Sequence, residues 1–291
     1  MKKMYICLMT IITMMILLTS VCAEAAVDWN NKFITVKGMG VANPAMATNP
    51  AHASMMARRA AITDAYRHLA EMVQGVQVDS ETTVEQMMLV SDIVKTRLSA
   101  VIKGAVIISE QEIAGGYEVT MQLPMFGNNG LSTAVITPPP VIESFPQHAP
   151  EVIPSMPADS QTADSSGYSV AGGGKRSPMA AIGGFTGLII DCRGVGALNP
   201  VMSPVIKNVK GVKLYGHENL NYDLVVRDGM VNYATSMNQA GRAGNKPLVL
   251  KATRLEDHNA NPVVSEADGS RILIENGATG FLNKTAVVFL Y

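Results

Sequence analysis

The sequence predicts an α+β protein built as two small modules, and three observations carry that expectation. From Val27 to Gly127, short alternating runs interleave with runs of helical period. From Asn128 to Gly184, periodicity gives way to Pro, Ser, Gly and Ala, and from Phe185 to Tyr291 strand-rich patterning returns. Alternation of apolar and polar residues marks a half-buried strand, whereas apolar residues three and four apart mark one face of a helix. The expected organisation is a signal peptide over 1–25, an α+β domain over 26–127, a disordered Pro/Gly/Ser-rich linker over 128–184 and a C-terminal α+β domain over 185–291.

The leader comes first. Lys2 and Lys3 form a positive start, Met4 to Val21 is apolar, and Ala23-Glu24-Ala25 has the small-x-small pattern of a cleavage site, so the mature chain is expected to start near Ala26. The apolar run is also long enough to span a bilayer if it stays. Cys22 raises a third outcome, lipid attachment, although Val21 and Thr19 stand where such a site calls for a small residue and a leucine. An acyl chain there would contribute ~0.8 kcal/mol per buried CH₂ toward holding the protein on a membrane. Either way the chain is expected to be exported to the periplasm, with outer-membrane association as the lipidated outcome. With Cys7 and Cys22 in the leader, Cys192 is left alone, so no internal disulfide is expected and stability must come from apolar cores.

In the first module, Phe33-Ile-Thr-Val-Lys alternates as a strand into Gly38-Met-Gly. NPAMATNPAHAS is expected as a loop, because a residue before proline is pushed away from helical backbone. From Ser54 to Gly75, Ala57, Ala61, Ala65, Leu69 and Met72/Val73 form one apolar stripe, with Arg67–Glu71 and Asp64–His68 as one-turn pairs elsewhere on the wheel. Gly75 stops that helix. Thr82 and Glu85 have capping-box spacing for a second helix ending at Gly104, with Met87, Val94, Leu98, Val101 and Ile102 facing inward. AVIISEQEI and GYEVTMQLPMFG then read as two strands about Ala114-Gly115-Gly116. The order strand, helix, helix, strand, strand suits two helices laid on a small antiparallel sheet.

These residues resemble the Lpp-twenty-like family of small bacterial envelope lipoproteins, which is related to flagellar outer-membrane and basal-body accessory proteins. The matching features are Ala60-Ala61, Asp64-Ala65-Tyr66-Arg67, Leu69-Ala70-Glu71, Gly75-Val76 and Ile102-Lys103-Gly104-Ala105. The resemblance covers about residues 33–127 and rests on scaffold positions. It implies an envelope protein, often lipid-anchored, without enzymology. The weak lipidation site around Cys22 is the one departure.

The linker expectation rests on TPPP at 137–140, prolines at 146, 150, 154 and 157, and the flexible DSSG and AGGGKRSP. Beyond it, GLIIDCR, VKLYG, KPLVLKA and AVVFLY are strand candidates. NYATSMNQAGRAG is expected as a helix, and Ser265 starts a second one over SEADGSRILIENGA.

Chemistry is sparse. LIIDCRGVG holds an acid, a thiol and a base beside a G-x-G. A phosphate cradle needs a helix start directly after the glycines, and Pro200 and Pro204 deny one. Cys192 lacks an electropositive setting on its own face, because neighbours on a strand alternate sides; Asp191 and Arg193 are expected to share the other face. His217-Glu218 and Asp257-His258 are polar turn pairs that would make a metal site only by meeting in the fold, and no metal or other cofactor is expected. Any ligand is expected on Gly194–Ser203 or the Tyr215–Asp223 turn, since loops carry binding residues. Arg58 and Arg59, with Asp191 and Arg193, are the candidate partner-binding residues. The formal net charge of -1, pI ≈ 6.5 and 5% aromatic content argue against nucleic acid as a partner, and no nucleotide fingerprint is complete. The expected function is therefore a non-catalytic envelope structural or assembly protein that contacts other envelope proteins or a second copy of itself, with the outer membrane or a flagellar basal body as its expected setting. The alternative is a periplasmic module that binds a ligand or cell-wall polymer through residues 185–291.

Overall fold

A computed structural model describes residues 25–147 and 181–291. The leader with Cys22, and most of the predicted linker, lie outside them. The described residues fall into two compact units. The first comprises 25–28, 33–73 and 102–123; the second comprises 29–32, 74–101, 124–147 and 181–291.

In the first unit, β1 (Ala25–Asp28), β2 (Phe33–Gly40), β3 (Val106–Ile113) and β4 (Gly116–Pro124) form one sheet in the order β1-β2-β4-β3. β1 runs antiparallel to β2, with Ala25 opposite Val36, and β3 runs antiparallel to β4. The predicted hairpin is present, and Gly115 takes the positive φ of 86° that its tight turn needs. Helix α1 (Pro50–Gln74) lays its stripe of Ala57, Ala61, Ala65, Leu69 and Val73 inward, as the spacing predicts. It starts four residues earlier than the sequence indicates, within the expected loop. Proline lacks only a donor that the first turn would leave unused, and Asn49 accepts the His52 amide at 2.8 Å.

Small residues on both sides draw α1 close to β2. Ile34, Val36, Gly38 and Gly40 are the buried alternates of the strand. A methyl on Gly38 would stand 2.7 Å from the Ala65 Cα, and one on Gly40 would stand 2.8 Å from the Ala60 carbonyl carbon. A Cβ at either position would require the backbones to separate.

The helix expected over 82–104 arrives as two: α2 (Val84–Val90) and α3 (Asp92–Lys103), broken at Ser91, whose backbone is extended. Its capping box lies one residue later than predicted. Thr83 accepts from the Gln86 amide while Gln86 reaches back to the Thr83 amide. Thr82 is instead engaged in the preceding turn, where Asp79 takes its amide at 2.8 Å. Val94 and Leu98 are buried as expected, whereas Met87 is only partly covered. By contacts, 74–101 group with the second unit rather than with the sheet of the first.

The predicted linker begins too early at 128. Leu131, Ala134, Val135 and Ile136 are buried around a short helix, α4 (Ser132–Val135). The Ser132 hydroxyl donates to the Val226 carbonyl at 2.8 Å, and Phe145 stacks on Tyr215 with 6.3 Å between ring centroids. Apolar LSTAVI buries itself before the TPPP run makes the chain extended. The other end is also tied down, because the buried Glu275 accepts the amides of Ile182 and Gly183 at 2.7 and 2.8 Å.

The rest of the second unit holds two sheets. β5 (Gly187–Asp191), β8 (Asn232–Ala234), β9 (Pro247–Lys251) and β12 (Val287–Leu290) form an all-parallel sheet in the order β8-β12-β5-β9. Its inner strands carry the continuous apolar runs LII and VVFL, as expected for strands covered on both faces. β6 (Ile206–Asn208), β7 (Lys213–Tyr215), β10 (Arg254–Glu256) and β11 (Asn261–Val264) form a mixed sheet in the order β10-β11-β6-β7. α5 (Tyr222–Asp228), capped by the Asn221 side chain, is a helix the sequence reading missed. α6 (Glu266–Thr279) is the one it placed, with Ser265 capping Asp268 and Gly280 ending it at φ 67°.

The helix predicted over NYATSMNQAGRAG is not formed. Asn232–Ala234 pairs with β12 instead, and two single 3₁₀ turns follow at Met237–Gln239 and Gly241–Ala243. Pairing with a central strand outcompetes a helix of modest propensity, and it buries Ala234, Ala240 and Ala243 against Ile189, Val288 and Leu290.

Candidate functional site

The residues the sequence singled out lie where β5 leaves its sheet. Asp191 is the last residue of the strand, and Arg193 returns to the same face two residues on. The Asp191 carboxylate accepts from the Arg193 Nε and Nη2, both at 2.8 Å, and from the Arg193 amide at 3.1 Å. These hydrogen bonds hold the carboxyl below the usual range. The shared face is as the alternation predicts, but the pair is closed on itself, so the two charges nominated for a partner are already engaged with each other.

Cys192 points the other way and is fully buried. Burial, reinforced by the Asp191 charge, pushes its thiol up to about 12. A nucleophilic cysteine needs the opposite shift.

After Gly194 and Gly196 the chain runs without helix to β6, as the prolines require. Its amides are committed elsewhere. The Tyr233 hydroxyl takes the Val201 amide at 3.0 Å and donates to the Val201 carbonyl at 2.8 Å. Met202 and Ser203 donate to the carbonyls of Gln77 and Val78, and Val205 to the Asn261 side chain. This loop is a packed seam rather than an anion cradle.

The two histidine pairs do not gather into a metal site; among the described residues no three His, Cys, Asp or Glu side chains come together. His258 faces the Ser80 carbonyl at 3.0 Å. Asp257 binds Lys207 at 2.6 Å and accepts from Asn261 at 2.7 Å. In the first unit Arg58 joins Glu110 of β3 at 2.8 Å, which ties α1 to the sheet edge, while Arg59 is exposed.

Two features escaped the sequence reading. A groove of about 710 Å³ lies between 142–147, Asn219 and the last turns of α6; only its Asn219 side falls on the turn predicted to carry a ligand. The second feature is a partly buried cationic pair. Lys32 and Arg242 both donate to the Asp228 carbonyl, at 2.7 and 2.6 Å. Arg242 also reaches the carbonyls of Gly229 and Thr285 and the Thr285 hydroxyl. Burial, with Arg242 beside it, lowers the Lys32 ammonium to about 7. Nothing in the local sequence marks either residue, because the carbonyls come from segments far along the chain.

The geometry therefore defines a two-unit α+β protein whose nominated reactive groups serve packing and intramolecular pairing. Residues 35–124 match the model of the LPP20 lipoprotein family, the same family that the helix and hairpin residues resemble. Residues 187–291, which span both sheets of the second unit, match the second domain of Treponema pallidum Tp0624. A comparison with curated proteins finds no match. The lipoprotein match places the first unit among cell-envelope, membrane-associated proteins.

Proposed function

We infer that the protein is a non-catalytic structural or assembly component of the cell envelope, exported to the periplasm and held at the outer membrane, with a flagellar basal body as one setting. The observation that carries this reading is the lipoprotein-family match over residues 35–124. The chemistry agrees with it. The lone described thiol is buried and pushed up to about 12, and Arg58, Asp191 and Arg193 are each engaged by a partner within their own unit. The test is cross-linking of the mature chain in intact cells followed by mass spectrometry. The reading expects adducts with envelope proteins or with a second copy. A chain recovered without any adduct, together with turnover of a small substrate that depends on Cys192 or Asp191, would overturn it.

A second reading has its own observation. The groove beside Asn219 carries Glu143, Asn276, Thr279 and Asn283 on its walls, side chains suited to a hydroxyl-rich ligand such as cell-wall polymer. Retention of the full chain on isolated cell wall, lost on Asn219→Leu and Asn283→Leu together, is the result this reading requires.

A further inference from the structure

One end of the first unit carries an apolar surface that its core does not use. It lies where β2 finishes at Gly40, α1 begins at Pro50 and β3 turns into β4. A groove of about 650 Å³ opens there, lined by small residues including Ala42, Ala51, Ala57 and Gly116. Large apolar side chains stand exposed on this end: Met39 at 51%, Val41 at 71%, Met46 at 63% and Met55 at 55%. Glu112 is the one charged groove residue, and it already accepts the Ser54 hydroxyl. Exposed apolar side chains gathered at one end of a unit point to an interaction there, and flexible methionines conform to irregular or fluid partners.

The direction of β1 says which partner. Because Ala25 lies opposite Val36 in an antiparallel pair, the chain reaches Ala25 from the Gly40 end of β2. Cys22 is separated from Ala25 by two residues, and three steps of extended chain span at most ~10 Å. A lipid on Cys22, or a retained apolar run before it, thus brings a bilayer to the end where Met39, Val41, Met46 and Met55 are bare. We propose that this end of the first unit seats on the lipid surface beside the N-terminal anchor. The contact needs no basic patch, since apolar side chains that sink ~5–10 Å into the headgroup boundary supply it. The proposal rests on the reading that the protein is held at a membrane.

The test uses the full chain purified from membranes and reconstituted into phosphatidylcholine vesicles. A polarity-sensitive thiol fluorophore is placed at Met46→Cys, at Met55→Cys and, as control, at Glu71→Cys. Glu71 is exposed on α1, and its sixteen residues from Met55 correspond to ~24 Å of helix. Cys192 stays dark because it is buried, and where the apolar run is retained Cys7 and Cys22 are first replaced by serine. Blue-shifted emission at 46 and 55 but not at 71, quenched by lipid-borne quencher, is the expected result. Vesicle-bound protein with all three probes in water overturns this seating while leaving the membrane reading intact. Protein that does not sediment with vesicles overturns both. Shielding of 46 and 55 that persists in detergent and scales with protein concentration assigns the surface to a second copy and also overturns it.

Discussion

Gly38 of β2 and Ala65 of α1 approach so closely that a single methyl on the glycine would stand 2.7 Å from the Ala65 Cα. The contact is backbone against backbone, so no side chain can rotate to relieve it. The alanine stripe and the strand glycines are therefore one feature seen from two sides.

Gly38→Ala should accordingly destabilise the first unit. Overpacking a tight interface costs ~1–3 kcal/mol, and the backbone approach puts this site at or beyond the upper end. The denaturation midpoint in urea should fall with little change in slope. The same substitution at Gly115, where a Cβ meets nothing but φ is 86°, should cost less, through strain alone.

Lys32 makes stability depend on pH. Its folded value of about 7 lies below the ordinary 10.5, so between these limits the unfolded chain holds the proton that the folded chain releases. Stability then rises with pH across that window, by at most ~1.4 kcal/mol per pH unit, and the full cost of burying the charge is present below it. Lys32→Met should flatten the rise and leave the protein at least as stable at pH 6, measured by urea midpoints from pH 6 to 10. An unchanged slope would show that the ammonium is not buried in solution.

Arg242→Leu should be among the most damaging single changes in the second unit. It strands the Gly229 carbonyl and removes a contact of the Thr285 hydroxyl, while the Thr285 carbonyl keeps the Val287 amide; a buried carbonyl left without a donor costs ~1–3 kcal/mol. Arg242→Lys should recover only part, because an ammonium cannot reach all the acceptors that surround the guanidinium, from Asp228, Gly229 and Thr285. Hydrogen exchange over 228–231 and 285–288 should rise in both variants, more in the leucine one.

Cys192 should be inert. With the thiol near 12, the thiolate fraction at pH 8 is about one in ten thousand, and burial blocks access as well. A thiol reagent should label it only after denaturant is added, and Cys192→Ser should retain every cellular phenotype. Rapid labelling of the native chain would reopen the question of a reactive site.

How far the sequence could be read depended on whether the deciding contacts were local. The stripe of α1, the Ser265 cap, the glycine hairpin and the opposite facing of Cys192 and Asp191 all follow from periodicity, capping chemistry or strand alternation, which act within a few residues. The expected helix over NYATSMNQAGRAG failed because β12, more than fifty residues away, offered Asn232–Ala234 a better set of hydrogen bonds. The linker boundary failed because LSTAVI finds its partners at Val226 and Tyr222.

By itself, then, the sequence determined the α+β class, the buried faces and the shared face of Asp191 and Arg193, whose closure on each other only the structure shows. Tertiary structure alone decided that β12 lies inside a parallel sheet, that 74–101 group with the second unit, and that Lys32 and Arg242 meet at one carbonyl. The physical reason is range. Periodicity encodes which face a residue presents, but only the closed chain fixes which distant backbone groups arrive opposite it.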